Sequence, residues 1–389
     1  MSNASNMKRN NMIAIMQLLQ RNGGMTKNQM ATELKLSSAT VHNIVTELKE
    51  KGFCKESTVA ISTGGRNAVI HEINKDGGLI VGQTLFRNRV LTNVFDYGMN
   101  NLFHDEVPVK DFHDVDSTIR LMIERIRYCV QQGFETKVIG VGISMMGRIN
   151  DKGKVINISG YPEWKNVYLR NILMSEINLP IFIENDNNAY ALAQKWNVGA
   201  EKSENTVFYH LGECIGVGIL IDGKVFKGSN NNGCEFGHIS IMVDGGPKCV
   251  CGNYGCLEAF IKDGAILEKV NQLPEYQDKP FGHILDAVRA GRESEAIHQV
   301  FMERLRYVVI GIEHIMRLFD PEVIVVRSKW IKEEPSYFDE LQRLLSEKYS
   351  ITDSGKVKII MDNSKVGAGA SACVFLERFY SEEEVNIYL

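Results

Sequence analysis

Three cysteines and one histidine lie close together near the middle of the chain. Cys249, Cys251 and Cys256 stand in one short loop, and His238 precedes them. Three thiolates and an imidazole form a complete tetrahedral set for Zn²⁺, and a set without an open position is typical of a structural site. We therefore predict one structural zinc per chain. The alternative is three unrelated thiols that are neighbours by chance, but the glycines that punctuate the loop favour the metal.

Two carboxylates flank this set. Glu235 precedes the histidine by three residues, and Glu258 follows the last cysteine by two. A metal-bound histidine keeps a second ring nitrogen that can donate a hydrogen bond outward. Two glutamates and that N–H group predict a rigid polar patch suited to the hydroxyl groups of a polyol.

The whole stretch resembles the signature of a known family. Glu235-x-Gly-His, followed by Cys249-x-Cys-Gly-x-x-Gly-Cys-x-Glu258, is similar to the pattern of the ROK family, which contains bacterial sugar kinases and sugar-responsive repressors. The resemblance implies a two-lobed, ribonuclease-H-like α/β domain of the actin and sugar-kinase type, preceded by a winged helix-turn-helix. We expect a DNA-binding head at 7–75, a first lobe at 77–200, and a second lobe with the zinc loop at 201–389.

The composition is that of a globular protein with two or three domains. The chain has 389 residues, of which 44% are hydrophobic and 24% charged, and these fractions are typical of globular proteins. It has neither an apolar run long enough to cross a bilayer nor a signal-peptide pattern, so we expect a cytoplasmic location. Eight cysteines with one cluster suit a reducing compartment better than a disulfide framework.

Charge is distributed unevenly along the chain. Residues 1–75 contain ten Lys or Arg and five Asp or Glu, which gives +5 and leaves −9 for the remainder of a chain whose net charge is −4. A basic head on an acidic body favours nucleic acid as the partner of the head alone.

The head has the pattern of a helix-turn-helix. Apolar residues at helical spacing predict a first helix within 11–21. Thr26 and Gln29 form a capping-box pattern that opens a second helix. Ser37 is a candidate N-cap for a third, which we expect to run to about Lys51.

The third predicted helix divides into two faces. Apolar residues form an inward stripe: Val41, Ile44, Val45 and Leu48. The opposite face carries short polar side chains able to reach base edges: Ser38, Thr40, His42, Asn43 and Thr46. A helix-turn-helix places such a helix in the major groove. The alternative is a small helical bundle that only mediates dimer contacts.

Two β-prone runs follow the helices, at 58–61 and 68–72, and they predict a hairpin wing with a Gly-Gly tip. Arg66 at this tip is predicted to enter a narrow minor groove, where the negative potential attracts a guanidinium group. ROK repressors have a winged helix-turn-helix with a Gly-Gly-Arg tip ahead of the sugar domain, and this segment resembles one.

Alternating strand and helix patterns after residue 77 predict an α/β layer fold. Within it, Glu184-Asn-Asp stands where a buried strand ends and a helix begins, the edge at which open α/β sheets bind ligands. ROK sugar kinases carry Glu-Asn-Asp here. The resemblance implies that Asn185 and Asp186 contact sugar hydroxyls, with Asp186 in the position of the kinase general base. The alternative is that Asp186 or Asn187 only caps the helix.

The nucleotide-binding elements of a ROK kinase look degenerate in this chain. ROK kinases place an acidic residue ahead of a Gly-Gly-Thr loop, whereas residues 77–95 contain no Asp or Glu. Glu213 replaces a small residue in the second phosphate loop, where its charge would repel phosphate. Arg327 and Trp330 stand where kinases have glycines and would obstruct a nucleotide. We therefore expect no kinase activity and no catalytic residue, with Asp186 a vestigial base.

Together these features predict a zinc-containing transcriptional regulator of the ROK type, most simply a repressor. Its expected partners are operator DNA and a sugar or sugar derivative, and a homodimer or higher oligomer is expected because paired half-sites require two recognition helices. The expected ligand contacts are Asn185, Asp186, Glu235, His238 and Glu258. Two alternatives are a ROK sugar kinase with a fused DNA-binding head, and a regulator that has a vestigial sugar site and responds to a partner protein.

Overall fold

Two five-stranded sheets organise the part of the chain that this computed structural model describes, which is residues 3–58, 69–132, 134, 138–196, 203–231, 233–291, 294–349, 357–362 and 369–379. One sheet lies in unit 1, which comprises Met1–Lys202 and Ser364–Leu389, and the other lies in unit 2, Ser203–Asn363. In each sheet three antiparallel strands are followed by two parallel ones. None of the described helices is long and apolar enough to cross a membrane.

The head begins unit 1 as three helices and a hairpin: α1 (Asn3–Asn22), α2 (Lys27–Leu34), α3 (Ser38–Glu50), β1 (Cys54–Thr58) and β2 (Val69–Ile73). The capping box at the start of α2 is present, since the side chain of Thr26 accepts from Gln29 N at 3.3 Å and the Gln29 side chain accepts from Thr26 N at 2.8 Å. Ser37 caps α3 by accepting from Thr40 N at 3.1 Å. The predicted helix-turn-helix is confirmed.

The wing differs from its prediction in where the first strand lies. β1 occupies Cys54–Thr58 and pairs with β2 in antiparallel register from Cys54 opposite Ile73. It begins four residues before the run predicted at 58–61, of which 59–61 lie outside the described residues. The strand begins early because Cys54 is buried and anchors it, although the residues after it are polar and give little strand signal. Arg66 lies outside the described residues.

The rest of unit 1 is built around the first large sheet, whose strand order is β5-β4-β3-β6-β9. Its elements are β3 (Leu79–Leu85), β4 (Arg89–Asp96), β5 (Asn101–Pro108), α4 (Val115–Val130), β6 (Val138–Met145), β7 (Arg148–Ile149), β8 (Val155–Asn157), α5 (Leu169–Glu176), β9 (Ile181–Asn185) and α6 (Asp186–Trp196). The apolar stripe of α4, with Met122 and Ile126 fully buried, packs on β3 and β4. The carboxyl end of β9 leads directly into α6.

Unit 2 repeats the strand order as β12-β11-β10-β13-β14. Its elements are β10 (Thr206–Leu211), β11 (Ile215–Ile221), β12 (Lys224–Val225), α7 (Leu257–Ile261), α8 (Asp263–Val270), α9 (Phe281–Arg289), α10 (Glu295–Phe319), β13 (Val323–Ser328), α11 (Lys329–Glu333), α12 (Ser336–Tyr349) and β14 (Lys358–Met361). The long helix α10 buries a continuous apolar face, including Leu305 and Ile312, in the core of this unit. The predicted α/β fold class is confirmed.

The last described helix, α13 (Ala370–Phe379), packs in unit 1 on β3, β6, β9 and α6. Two glycines of β6 allow this close approach, because a Cβ at Gly142 would overlap the carbonyl of Ser371 and one at Gly140 would overlap the ring of Phe375. This arrangement departs from the expected boundaries, which assigned all of 201–389 to one lobe. The sheet that receives this helix is set by tertiary packing, which the sequence does not show.

Candidate functional site

The four predicted metal ligands lie together in unit 2. The donor atoms of His238, Cys249, Cys251 and Cys256 all lie within 4.8 Å of one another. Cys249 Sγ is 3.4 Å from His238 Nδ1, and Cys251 Sγ is 3.7 Å from Cys256 Sγ. Tetrahedral coordination at usual zinc bond lengths places such ligand atoms ~3.4–3.8 Å apart. The donor set therefore fits a metal ion.

Backbone pairing brings the histidine to the cysteine loop. Ile241 N donates to Gly255 O at 2.9 Å and Leu257 N to Ile239 O at 2.9 Å, so the segment after His238 runs beside the segment that contains Cys256. Gly255 has φ +71°, and a Cβ there would overlap the carbonyl of Met242. Only glycine fits this turn without strain.

Burial sets the protonation of the metal-free thiols. Cys249 and Cys256 are buried, and Cys251 is exposed. Burial, followed by hydrogen bonds with the other two thiols, raises the pKa of Cys256 to about 12. Because the thiolate is the form that ligates a metal, binding of a cation at this loop would displace protons from the sulfurs.

The two glutamates beside the metal set have different environments. Glu258 is 5% exposed, and its Oε2 accepts from Ile215 N at 3.0 Å. This contact holds the first residue of β11, so Glu258 has a structural role in the turn between β10 and β11. Glu235 is exposed and precedes a short 3-10 turn whose last residue is His238. His238 Nδ1 faces the sulfur of Cys249, which leaves Nε2 as the outward nitrogen.

In unit 1, Asn185 and Asp186 stand at the junction of β9 and α6. Asn185 Oδ1 accepts from Asn187 N at 2.9 Å and from Asn188 N at 3.2 Å, and its Nδ2 donates to Gly147 O at 3.1 Å. Asn185 therefore caps α6. Asp186 Oδ1 also accepts from Asn187 N at 2.9 Å, so Asp186 contributes to the cap as the alternative from the sequence proposed. Asp186 is half-buried as the first residue of α6, where the helix dipole favours a carboxylate.

A buried polar row lies beneath this junction, and sequence reasoning missed it. Register aligns Thr84, Ser144 and Glu184 across β3, β6 and β9. Thr84 Oγ1 and Ser144 Oγ share a hydrogen bond of 2.9 Å. Glu184 is 3% exposed, and its Oε1 accepts from Asn185 N at 3.0 Å and Asn188 Nδ2 at 3.1 Å. The signal available in the sequence was a carboxylate, Glu184, near the end of the otherwise apolar strand β9.

The predicted DNA-reading face of α3 is on the surface. The four residues of the inward stripe are buried, at 0–2% exposure, while Ser38, His42 and Asn43 are exposed. Thr40 and Thr46 are half-buried, and the Thr46 hydroxyl donates to His42 O at 2.8 Å. The exposed side chains of α3 thus lie opposite its core contacts, as a recognition helix requires.

The residues expected to disfavour a nucleotide lie in unit 2. Glu213 is exposed in the turn between β10 and β11. Trp330 is fully buried, with the guanidinium carbon of Arg304 4.6 Å from its ring centroid. The Trp330 ring therefore fills the core instead of projecting outward, which differs from the expected obstruction. Arg327 is half-exposed, and its Nε lies 3.8 Å from Asp362 Oδ2.

A helix-turn-helix with an exposed polar face precedes two similar α/β sheets and a loop whose donor set could hold a metal. These features define a class of DNA-binding proteins built on a sugar-kinase fold. The profile of the ROK family matches residues 92–373, and a winged helix-turn-helix DNA-binding profile matches residues 9–53. The chain belongs to the ROK family.

Some known proteins resemble nearly the whole chain, and others resemble about half of it. The xylose repressor of Caldicellulosiruptor bescii is 26% identical over 388 residues, which cover 96% of each chain. The glucokinase of Thermotoga maritima is 31% identical over 228 residues, which cover 54% of this chain and 69% of that enzyme. The crystal structure of a ROK family transcriptional regulator, a homologue of the E. coli MLC protein, matches with a TM-score of 0.81 and 24% identity, over 98% of this chain and 99% of the other.

Proposed function

We propose that this protein is a sugar-responsive transcriptional repressor. The observation that carries the proposal is the similarity to a xylose repressor over nearly the whole of both chains, head included. The match to a glucokinase leaves out almost half of this chain. A protein with this head needs DNA as a partner, so its working compartment is the cytoplasm.

Operator DNA is read by the exposed face of α3 in this proposal. The contacts are Ser38, Thr40, His42, Asn43 and Thr46, with Arg66 of the wing reaching the minor groove. Short polar side chains on a recognition helix pair with base edges, and guanidinium groups favour a narrow minor groove. Two such heads in a homodimer would read two half-sites of one operator.

The effector is a sugar or sugar derivative, and xylose and glucose are the first candidates because the similar proteins are named for them. In unit 1 the proposed ligand contacts are Asn185 and Asp186. Asp186 has a carboxylate suited to accept from a hydroxyl group, and Asn185 and the buried Glu184 hold the backbone at that junction. In unit 2 the proposed contacts are Glu235, His238 and Glu258.

Zn²⁺ is the proposed metal, one per chain, with His238, Cys249, Cys251 and Cys256 as ligands. Three sulfurs and one imidazole nitrogen are a donor set that suits zinc, and it leaves no position open for substrate. Zinc there would supply a structural cross-link. The consequence for this chain's own residues is that the His238 ring is fixed, so that Nε2 can donate to a ligand hydroxyl.

Kinase activity is absent in this proposal, and Asp186 contacts the ligand without acting as a base. Support comes from Glu213, whose exposed carboxylate would repel a phosphate. The competing function is a sugar kinase with a fused head, which the glucokinase similarity favours. Incubation with ATP-Mg²⁺ and a panel of monosaccharides separates the two, because the repressor forms no sugar phosphate above a protein-free blank, whereas a kinase turns over.

The proposal is tested first by selecting duplexes from a random DNA library with the full-length chain. A repressor enriches a sequence with two related half-sites and binds it at least 10³-fold more tightly than random DNA, as is usual for specific recognition, where the ratio is about 10³–10⁷. Failure to enrich any sequence would refute the proposed function.

A further inference from the structure

One face of α1 connects the head to the rest of unit 1. Gln17, Gln20 and Arg21 are spaced three and four residues apart, so they project from the same side of the helix. Gln20 Nε2 donates to Gly98 O at 2.8 Å, and Arg21 Nε donates to Lys195 O at 2.7 Å. Gln17 Nε2 donates to Glu377 Oε2 at 3.2 Å. The head is therefore tied by polar contacts to a turn after β4, to the end of α6, and to α13.

Glu377 joins three of these elements. Its Oε1 accepts from Lys195 Nζ at 2.8 Å, and its Oε2 accepts from Trp196 Nε1 at 3.4 Å in addition to Gln17. The side chains of Lys195 and Glu377 are only 11% and 19% exposed. Solvent screens such a pair less than a surface ion pair. Removing one partner is thus expected to change how the elements are held together.

Helix α6 links this cluster to the proposed ligand contact. It begins at Asp186 and ends at Trp196, so its two ends are about 15 Å apart at the usual helical rise. At its far end, the carbonyl of Lys195 accepts from Arg21 Nε of the head at 2.7 Å. A cation is favoured at a helix C-terminus by the dipole. A short rigid helix passes a displacement at one end on to the other.

An aromatic contact packs the end of the recognition helix α3 against the rest of unit 1. Phe53, three residues after the end of α3, stacks on Tyr97 with centroids 5.1 Å apart and meets Phe379 edge-on at 5.8 Å. All three rings are at most 4% exposed. The packing of Phe53 therefore ties the position of α3 to the rest of unit 1, in addition to the hydrogen bonds that α1 makes.

We propose that α6 and Glu377 couple ligand binding at Asp186 to the orientation of the head, through the hydrogen bonds that Gln17 and Arg21 make. The coupling rests on the proposed function and specifies how it is regulated. Because coupling between two sites is reciprocal, DNA bound at the head must alter the start of α6 even without sugar. The test therefore does not depend on which sugar is the effector.

The experiment is hydrogen–deuterium exchange of the full-length chain with and without its selected duplex. In the wild type, DNA should change exchange of the peptide that covers 184–192 by at least about threefold, since RT ln 3 is about 0.65 kcal/mol and coupling free energies are typically 1–3 kcal/mol. Gln17→Ala and Glu377→Gln should abolish that change while the duplex still saturates the protein. Glu176→Gln, which breaks the exposed pair with Arg127 away from the head, is the matched control and should behave as the wild type.

The possible outcomes distinguish failure of the proposed coupling from failure of the proposed repressor function. Loss of the change in both variants supports the coupling, and loss in Gln17→Ala alone suffices if Glu377→Gln does not fold. A wild-type peptide that does not respond to DNA, or a response that persists in both variants, overturns the coupling and leaves the repressor function standing. A chain that selects no duplex refutes the repressor function instead.

Discussion

His238 Nδ1 and Cys249 Sγ lie 3.4 Å apart although the two residues are eleven positions apart in the chain. This contact joins the short turn that begins after Glu235 to the cysteine loop, so one metal site can fix both. Cys251 and Cys256 complete the set from the other side, with their sulfurs 3.7 Å apart. A metal held by this donor set would therefore also fix the orientation of the residues proposed to hold a sugar.

The metal claim is tested on the two exposed cysteines of the described residues, Cys214 and Cys251. Purified wild-type protein should contain one zinc per chain by inductively coupled plasma mass spectrometry. Cys251→Ser should lose most of that zinc, because it removes one of four ligands. Cys214→Ser, at an exposed thiol outside the cluster, should retain it. Equal zinc in both variants, or none in the wild type, would exclude the site.

The packing of α13 on the first sheet is tested by Gly142→Ala. The new Cβ would overlap the backbone carbonyl of Ser371, so strand and helix must separate. We expect a loss of unfolding free energy of about 1–3 kcal/mol or more, as for other overpacked cores, measured by urea denaturation. Gly282→Ala is the control, since no neighbouring atom lies within 4 Å of its added Cβ. That substitution in α9 should be neutral or stabilising by up to about 1 kcal/mol. Equal effects would contradict the packing.

DNA recognition by α3 is tested by Asn43→Ala. Asn43 is exposed on the face opposite the buried stripe, so its removal should leave the helix intact. Loss of a side chain that pairs with a base should cost about 1–3 kcal/mol, or roughly 5- to 150-fold in affinity for the selected duplex. Affinity for random DNA, measured by fluorescence anisotropy at the same salt concentration, should change less than twofold. Unchanged affinity for the selected duplex would exclude Asn43 from the interface.

Ligand binding at the start of α6 is tested by Asp186→Asn, which keeps the shape of the side chain and removes its charge. A hydrogen bond to a charged acceptor contributes about 1.5–3 kcal/mol, so the sugar Kd should rise roughly 10- to 150-fold by isothermal titration calorimetry. Asp116→Asn, at an exposed carboxylate in the first turn of α4, should bind the sugar as the wild type does. An unaltered Kd in Asp186→Asn would place the ligand elsewhere.

Local signals in the sequence predicted much of this structure. The capping residues Thr26 and Ser37 and the apolar stripe of α3 depend on neighbours within a few residues, and all are confirmed. The four candidate metal ligands could be selected from the sequence because three of them fall within eight residues of one another, and the structure brings their donor atoms together. Such features are set by local geometry, which the sequence shows directly.

Features that depend on long-range packing could not be obtained in this way. The register that aligns Thr84, Ser144 and Glu184 joins three strands distant in the chain. Trp330 was expected to obstruct a nucleotide, but its buried ring packs against Arg304, whose guanidinium is paired with Asp263 at 2.7 Å. Arg304 and Asp263 are both distant from Trp330 in the sequence, so the burial of Trp330 depends on tertiary contacts. The packing of α13 in unit 1 likewise depends on tertiary contacts.

The most direct test of the whole account is the affinity of the full-length chain for its selected duplex, measured with and without saturating monosaccharides, xylose and glucose first among them. The account predicts that at least one sugar weakens DNA binding tenfold or more, a coupling of about 1.4 kcal/mol. A duplex affinity that no sugar changes would contradict the account and favour a signal from a partner protein. Formation of a sugar phosphate from ATP would also contradict it.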